Sequence, residues 1–114
     1  MITRAFGSTG LAVSALGLGC NNFGMRLDLD KTRAVLDAAT EVGINFIDTA
    51  DVYGGRGGSE RLLGAAMGTR RKDFILATKF GLPMDPGGRL QGGSRKLCLV
   101  GCRGELETTQ DRVD

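Results

Sequence analysis

The sequence predicts an α/β domain built on a parallel sheet, and two features of its 114 residues point to this class. Short apolar segments of strand length alternate with segments whose apolar residues repeat at helical spacing, in the order strand, helix, strand, helix, strand. This order favours a parallel sheet, because each helix returns the chain to the same edge of the strand layer. Glycine, at 19 of 114 residues, falls between the segments and indicates tight turns at their ends.

The first predicted element is a β-hairpin. Residues 4–6 and 11–13 are short extended segments around the turn formers 7–10, which is the pattern of two strands joined by a turn. The apolar run 15–20 then has the length of a core strand, and the polar and glycine residues 21–24 after it predict a turn.

A first helix is predicted from Asp28 or Asp30 to Gly43. Five apolar residues of this segment fall on one helical face: Ala34, Val35, Ala38, Ala39 and Val42. An aspartate side chain accepts hydrogen bonds from the free N–H groups at a helix start, and glycine adopts the left-handed conformation that ends a helix. Residues 44–47 then predict a buried strand that ends at Asp48.

A second helix is predicted to begin with Ser59 as its N-cap and to end at Gly68. Its apolar face comprises Leu62, Leu63, Ala66 and Met67. Residues 74–78 form the third predicted strand, which ends in Lys79. Asp48 and Lys79 therefore both lie at the carboxyl ends of strands, the edge where α/β folds place their chemistry.

Charge and composition exclude several classes of protein. The chain carries 15 Lys+Arg against 13 Asp+Glu, with both signs interleaved, so no nucleic-acid partner is expected. No apolar run approaches the ~18 residues that a membrane span requires. Histidine is absent, which excludes histidine-dependent nucleophile pairs and the usual zinc sites within this chain.

The three cysteines, Cys20, Cys98 and Cys102, predict reduced thiols. The last two lack a second pair or a histidine to complete a metal site, so no metal is expected. The apolar stretch before Cys20 weakly resembles a signal peptide, but Ser14 and two glycines interrupt it. We therefore expect a cytoplasmic protein.

The glycine-rich segments do not match the common nucleotide-binding loops. Gly17 and Gly19 are followed by Asn22 where a Rossmann fold needs its third glycine. Residues 54–58 are either a phosphate-binding nest at a helix start or a flexible surface loop, and the sequence leaves both interpretations open.

Three residues predict a site for acid/base chemistry: Asp48 and Tyr53 in the segment FIDTADVYG and Lys79 in ATKFG. Taken singly, the aspartate could cap a loop, the tyrosine could pack and the lysine could extend along the sheet rim. Taken together, they form a chemical group, because an ammonium beside a phenol favours the phenolate and a carboxylate holds that ammonium charged and in place. The phenol then becomes a usable proton donor.

These segments resemble a known family. RAFGSTGLAVSALGLGCNNFG, INFIDTADVYG, GGSERLLGAAM and FILATKFG are similar, from about residue 3 to residue 81, to the N-terminal third of the aldo/keto reductases. The resemblance implies an N-terminal hairpin plus the first three βα units of a TIM (β/α)8 barrel, left incomplete. Residues 1–114 would then form one partial reductase-like domain.

The resemblance also implies roles for individual residues. Tyr53 would be the general acid/base, Lys79 its activating ammonium and Asp48 the anchor of that ammonium. The loop residues expected to bind NADP(H) are Gly19, Cys20, Asn21 and Asp48. The implied reaction is transfer of a hydride from NADPH to a small-molecule aldehyde or ketone, with Tyr53 protonating the developing alkoxide.

The chain also departs from the family pattern. The family's fourth catalytic residue is a histidine, and this chain has none. Five later βα units and most of the contacts to NADP are missing, so we expect a truncated protein that is inactive alone. Residues 95–110 diverge where the family has an amphipathic helix, since they contain Gly101 and Gly104 and show weak helical periodicity, and we interpret this tail as a reading-frame shift.

Two alternatives remain beside this interpretation. The chain could be a noncatalytic remnant or interaction module that associates through the unpaired edges of its sheet. It could also be a small self-contained α/β domain that binds a nucleotide through its glycine loops, although two helices cover both faces of a sheet poorly.

Overall fold

The computed structural model describes residues 1–95, and within them the elements follow the predicted order. The strands are β1 (Thr3–Ala5), β2 (Ala12–Ser14), β3 (Gly17–Gly19), β4 (Phe46–Asp48) and β5 (Ile75–Ala77). The helical segments are α1 (Leu29–Glu41), α2 (Tyr53–Arg56), α3 (Gly58–Met67) and a 3-10 helix (Gly68–Asp73). Apart from Arg95, the divergent tail predicted at residues 95–110 lies outside the described residues.

The predicted N-terminal hairpin is confirmed. β1 and β2 pair antiparallel, with Arg4 opposite Val13. The side chain of Asn45, just before β4, continues this pairing because its Oδ1 accepts from the Ser14 N–H at 2.7 Å and its Nδ2 donates to the Ala12 carbonyl at 3.0 Å. One side-chain amide thus attaches the hairpin to the amino end of the parallel sheet.

The parallel sheet is confirmed with the strand order β3-β4-β5. Gly19, Asp48 and Ala77 stand at the same level in the register. Pairing continues past the strand ends, since the Asp51 N–H donates to the Lys79 carbonyl at 3.0 Å. The carboxyl ends of the three strands therefore form one rim, as the sequence predicted.

Both predicted signals for the first helix are confirmed. Asp28 is the N-cap of α1, and its Oδ1 accepts from the Lys31 N–H at 3.0 Å. Gly43 follows the C-cap residue Val42 and has φ +81°, the left-handed conformation that glycine adopts at little cost.

The prediction that Ser59 caps the second helix is wrong. Gly57, with φ +84°, precedes the helix, and Ser59 lies inside the first turn of α3, fully buried. A left-handed turn at Gly54 and Gly55 turns the chain before α3 begins, so the serine side chain is directed into the protein instead of onto the helix end.

The core lies between the sheet and the helices. Its buried side chains are Cys20, Phe23, Leu36, Ile47, Leu63, Ala66, Met67 and Phe74. Successive residues of a strand point to opposite faces, so Phe46 and Asp48 lie on the face opposite the buried Ile47. On that second face the Phe6 ring of the hairpin contacts Phe46, with 6.0 Å between the ring centroids.

The fold class follows as an α/β sheet with helices on one face and an N-terminal hairpin. In residues 1–95 the three parallel strands form an open sheet and no closed barrel. None of the helices in this part of the chain is both long and apolar enough to cross a membrane.

Candidate active site

Lys79 and Asp48 form the centre of the polar rim. The Lys79 Nζ donates to Asp48 Oδ1 at 2.8 Å and to Oδ2 at 2.9 Å, and it also donates to the carbonyl oxygen of Thr49 at 2.7 Å. The two side chains remain about half exposed, at 51% and 43%. The register of β4 and β5 explains the contact, because Asp48 ends one strand and Lys79 follows the end of its neighbour.

Tyr53 lies beside this ion pair, with its ring centroid 5.2 Å from the Lys79 Nζ. Hydrogen bonding to Asp48 raises the pKa of Lys79 above its ordinary value. Desolvation lowers that pKa, whereas the charge of Asp48 and the interaction with Tyr53 raise it further. The structure thus brings together all three residues that the sequence predicted for acid/base chemistry.

A glycine contact behind Tyr53 fixes the turn that carries it. Gly54 has φ +67°, and a Cβ added there would lie 2.5 Å from the Ser59 nitrogen and 2.6 Å from the Phe23 carbonyl oxygen. Gly24 packs against the same turn, since its own added Cβ would lie 2.9 Å from the Gly58 carbonyl carbon. Backbones approach this closely only where side chains are absent.

The segment 54–58 is therefore a left-handed turn packed on the loop after β3. Arg56 is the one residue other than glycine with positive φ, +69°, in the described part of the chain. Gly57 and Gly58 are buried. Nothing in this turn tests the interpretation of the segment as a phosphate nest.

The hydroxyl groups of Thr49 and Ser59 form consecutive hydrogen bonds below the rim. The Ser59 hydroxyl donates to the Cys20 carbonyl at 2.9 Å and lies 2.8 Å from the Thr49 hydroxyl. Ser59 has one hydroxyl hydrogen, so the Thr49 hydroxyl is the donor in the second contact. Ser59, on α3, thus links the residues that directly follow β3 and β4.

Glu60, the next residue of α3, makes the corresponding contact to the third strand. It is 4% exposed, and its Oε1 accepts from the Thr78 hydroxyl at 2.7 Å. Burial raises the pKa of Glu60, an effect that the Thr78 hydrogen bond opposes and the nearby Asp51 carboxylate reinforces. Burial also raises the pKa of Asp51.

The residues predicted to bind a cofactor differ in exposure. Gly19 and Asn21 are exposed, and an added Cβ at Gly19 would have no neighbour within 4 Å. The Cys20 side chain is fully buried, and burial, reinforced by the Asp48 charge, raises the pKa of its thiol to about 12. Its backbone N–H also donates to the Asp48 carbonyl at 2.9 Å. Binding of a cofactor at these residues remains a prediction.

Sequence reasoning missed three residues of this region: Thr49, Ser59 and Glu60. A signal for two of them was present, because Ser59 and Glu60 stand four and three positions before the apolar Leu63, on the same helical face. Polar residues on an apolar helical face indicate buried hydrogen bonds. In residues 1–95 no group of three or more His, Cys, Asp or Glu side chains lies close enough together to hold a metal ion.

Comparison with known proteins identifies the family. The sequence profile of the Aldo/keto reductase family matches residues 15–112. The chain is 45% identical over 87 residues to the uncharacterized oxidoreductase YqkF of Bacillus subtilis, covering 76% of this chain and 28% of that protein. It is 40% identical over 103 residues to the L-glyceraldehyde 3-phosphate reductase of Escherichia coli, covering 85% of this chain and 30% of that protein.

The fold agrees with the family. The aldo-keto reductase AKR11C1 of Bacillus halodurans, solved in its holo form, superposes on the whole chain with a TM-score of 0.85 and 37% sequence identity, over 38% of its own length. The chain thus spans between a quarter and two fifths of the length of these three proteins. Its sheet and helices correspond to the first part of a TIM barrel. The chain belongs to the aldo/keto reductase family.

Proposed function

We propose that this chain supplies the proton-transfer part of an NADP(H)-dependent reductase of aldehydes or ketones. The observation that supports this proposal most directly is the position of the Lys79 ammonium, bound by both carboxylate oxygens of Asp48 at 2.8 and 2.9 Å and 5.2 Å from the Tyr53 ring centroid. An ammonium held beside a phenol favours transfer of the phenolic proton, because it stabilises the phenolate that remains.

The open space beside Gly19, next to Asp48 in the register, supports the binding of a flat ring at this rim. Gly19 is exposed and without neighbours on its Cβ side, and Asn21 and Asp48 offer polar side chains close to it in the chain and the register. Gly19, Asn21 and Asp48 would hold the nicotinamide end of NADP(H). Reduced nicotinamide, when bound, supplies the hydride that reduces a carbonyl carbon.

Each residue of the site then has a distinct task. Tyr53 donates its phenolic proton to the oxygen of the substrate carbonyl as negative charge develops there. Lys79 stabilises the tyrosine oxygen after the proton has left. Asp48, assisted by the Thr49 carbonyl, keeps the Lys79 ammonium in place.

We also propose that the 114-residue chain does not turn over a carbonyl substrate alone. It contains no histidine to position and polarise the carbonyl. The described residues provide three parallel strands, whereas a closed (β/α)8 barrel needs eight. The residues that recognise a substrate would therefore come from polypeptide beyond this part of the barrel. A cytoplasmic location, expected because the stretch before Cys20 is a poor signal peptide, belongs to the same proposal.

Fragment complementation tests this function. The purified chain is mixed with a polypeptide that carries the remaining barrel strands of a related reductase, and carbonyl-dependent loss of NADPH absorbance is followed. We expect activity in the mixture only, and a decrease of roughly 10²- to 10⁴-fold for Tyr53→Phe and for Lys79→Met. Lys72→Met, at an exposed lysine of the 3-10 helix, is the matched control and should retain activity.

Three outcomes would count against parts of this proposal. Turnover by the purified chain without the added polypeptide contradicts the claim of inactivity. An active mixture that keeps its activity with Tyr53→Phe contradicts the role of the phenol. A mixture without NADPH binding or turnover favours the second candidate function.

That second candidate is a noncatalytic interaction module. Within residues 1–95, β3 and β5 each pair with a neighbour on one side only, so two strand edges retain free backbone groups. Association through these edges predicts a mass in light scattering that rises with protein concentration. A constant monomer mass over a hundredfold range of concentration would contradict it.

A further inference from the structure

We propose that Ser59 and Glu60 are positioning residues that hold the ends of β3, β4 and β5 together and thereby keep Lys79 on Asp48. We call these two residues the α3 clamp. The inference deepens the proposed function, on which its importance for catalysis rests. In physical terms, two buried polar side chains on one turn of α3 determine the geometry of the Lys79–Asp48 ion pair on the neighbouring loops.

The first half of the clamp acts through Thr49. The Thr49 hydroxyl donates to Ser59, and the Ser59 hydroxyl donates to the carbonyl of Cys20, so one serine joins the chain after β4 to the chain after β3. The backbone carbonyl of the same Thr49 accepts from the Lys79 Nζ at 2.7 Å. Displacement of Thr49 therefore displaces one of the ammonium's acceptors.

The second half of the clamp acts through Thr78. Glu60 accepts the Thr78 hydroxyl at 2.7 Å, and Thr78 directly precedes Lys79. This contact sets where the backbone of Lys79 leaves β5. With Ser59 as the adjacent residue, one turn of α3 contacts all three strand ends.

Burial makes these contacts strong constraints on geometry. Thr49 and Ser59 are fully buried and Glu60 is 4% exposed, so water cannot replace a lost partner without a structural change. An apolar residue at position 59 or 60 would bring no polar group into the core, so packing alone does not require a serine or a glutamate there. A hydrogen bond fixes the angle between two groups as well as their distance. Side chains that come from three separate loops need this precision to meet in one site.

The test uses the Lys79 pKa as a measure of the Lys79–Asp48 geometry. The full 114-residue chain, labelled with ¹³C at the lysine ε carbons, is titrated and followed by NMR. Its four lysines give few signals, and Lys79→Arg assigns the relevant one. The titratable groups that interact with the Lys79 ammonium are Asp48, Tyr53 and the Cys20 thiol, and all three are unchanged in every variant of the clamp.

We expect Ser59→Ala to lower the Lys79 pKa toward its ordinary value, because the ammonium then spends less time on both Asp48 oxygens. Ser14→Ala is the matched control. Ser14 is also buried, at 4% exposure, and also makes two hydrogen bonds through its hydroxyl, but it lies at the amino end of the sheet. That control should destabilise the fold and leave the Lys79 pKa where it is.

Glu60 requires two variants, so that loss of its charge can be separated from loss of its hydrogen bond to Thr78. Glu60→Ala and Glu60→Gln remove the same charge, but glutamine keeps an oxygen that can accept from Thr78. We expect the Lys79 pKa of Glu60→Gln to lie closer to that of the unsubstituted chain than the pKa of Glu60→Ala does.

A folded Ser59→Ala chain with an unchanged Lys79 pKa, or equal pKa changes in the two Glu60 variants, would overturn the proposal. If Ser59→Ala does not fold, the pair of Glu60 variants decides the question alone. The titration involves neither NADPH nor a carbonyl compound. A titration that contradicts the clamp therefore does not affect the conclusion of the complementation assay. A negative complementation assay likewise does not affect the conclusion of the titration.

Discussion

The ammonium of Lys79 donates to the main-chain carbonyl of Thr49 at 2.7 Å, a contact that no change of the Thr49 side chain removes directly. Lys79 is therefore held by one partner that belongs to the backbone and one, Asp48, that belongs to a side chain. Substitution can separate the two partners, because the Asp48 carboxylate can be replaced by a neutral amide whereas the Thr49 carbonyl belongs to the backbone and stays.

Asp48→Asn should lower the pKa of Lys79 toward its ordinary value. Hydrogen bonding to the Asp48 carboxylate is the largest cause of the raised pKa, and the asparagine amide carries no charge. NMR titration of ε-labelled lysine measures the change. Asp37→Asn removes the same charge from a pair with Arg70, and it should leave the Lys79 pKa unchanged.

The same pair makes a small contribution to stability that depends on pH. The folded-state pKa of Lys79 is raised, so the contribution is fully present below the ordinary lysine pKa and is lost as pH rises through the raised value. Since both side chains are about half exposed, Asp48→Asn should cost at most about 1 kcal/mol of unfolding free energy at neutral pH. A loss of several kcal/mol in urea denaturation would contradict this.

Cys20 should be unreactive toward iodoacetamide in the folded chain. Its thiol is fully buried, and burial raises the pKa from 9.0 to about 12, so at mildly alkaline pH the thiolate fraction falls about a thousandfold. The measurement uses a Cys98→Ser/Cys102→Ser background, in which Cys20 is the remaining cysteine. Modification in denaturant provides the reference rate, and similar rates with and without denaturant would refute the prediction.

Gly54→Ala should destabilise the chain more than Gly55→Ala. Both glycines have positive φ, +67° and +72°, so each alanine costs about 1 kcal/mol in the left-handed region. At Gly54 the new Cβ also lies 2.5 Å from the Ser59 nitrogen, which adds about 1–3 kcal/mol of overpacking. At Gly55 it meets no atom within 4 Å. Urea denaturation compares the two, and equal losses would show that the close contact is unimportant.

Glu60→Gln should stabilise the chain increasingly as pH rises. Burial raises the folded-state pKa of Glu60 above 4.5, so the stability associated with its neutral form is fully present below 4.5 and is lost as pH rises through the raised value. Glutamine does not titrate and keeps an acceptor for Thr78. Glu41→Gln removes an equal charge from the exposed end of α1 and serves as the control. A stability difference that is independent of pH would contradict the prediction.

Much of the fold was predictable because its signals are local. Asp28 and Gly43 mark the ends of α1 through their own backbone and side-chain chemistry. The carboxyl ends of neighbouring parallel strands share one edge, so Asp48 and Lys79 were expected to meet, and they do.

The errors and omissions involve residues whose position depends on distant parts of the chain. A serine that precedes an apolar helix has the same sequence signal whether it caps the helix or is buried in it, and for Ser59 the turn at Gly54 decided the outcome. Glu60 was missed because its partner, Thr78, lies 18 residues away. The exposed Gly19 and Asn21 could be assigned a binding role only from resemblance.

The contiguous origin of Asp48, Tyr53 and Lys79 has a consequence for protein engineering. All three residues lie within 32 consecutive positions, so the proposed acid/base group would be inherited as one sequence block. Under the proposed function, a chimera joined after Gly81 would keep this block and exchange the segments proposed to select the substrate. Recombination libraries of related barrels divided at this boundary should vary in specificity while they retain a common proton donor.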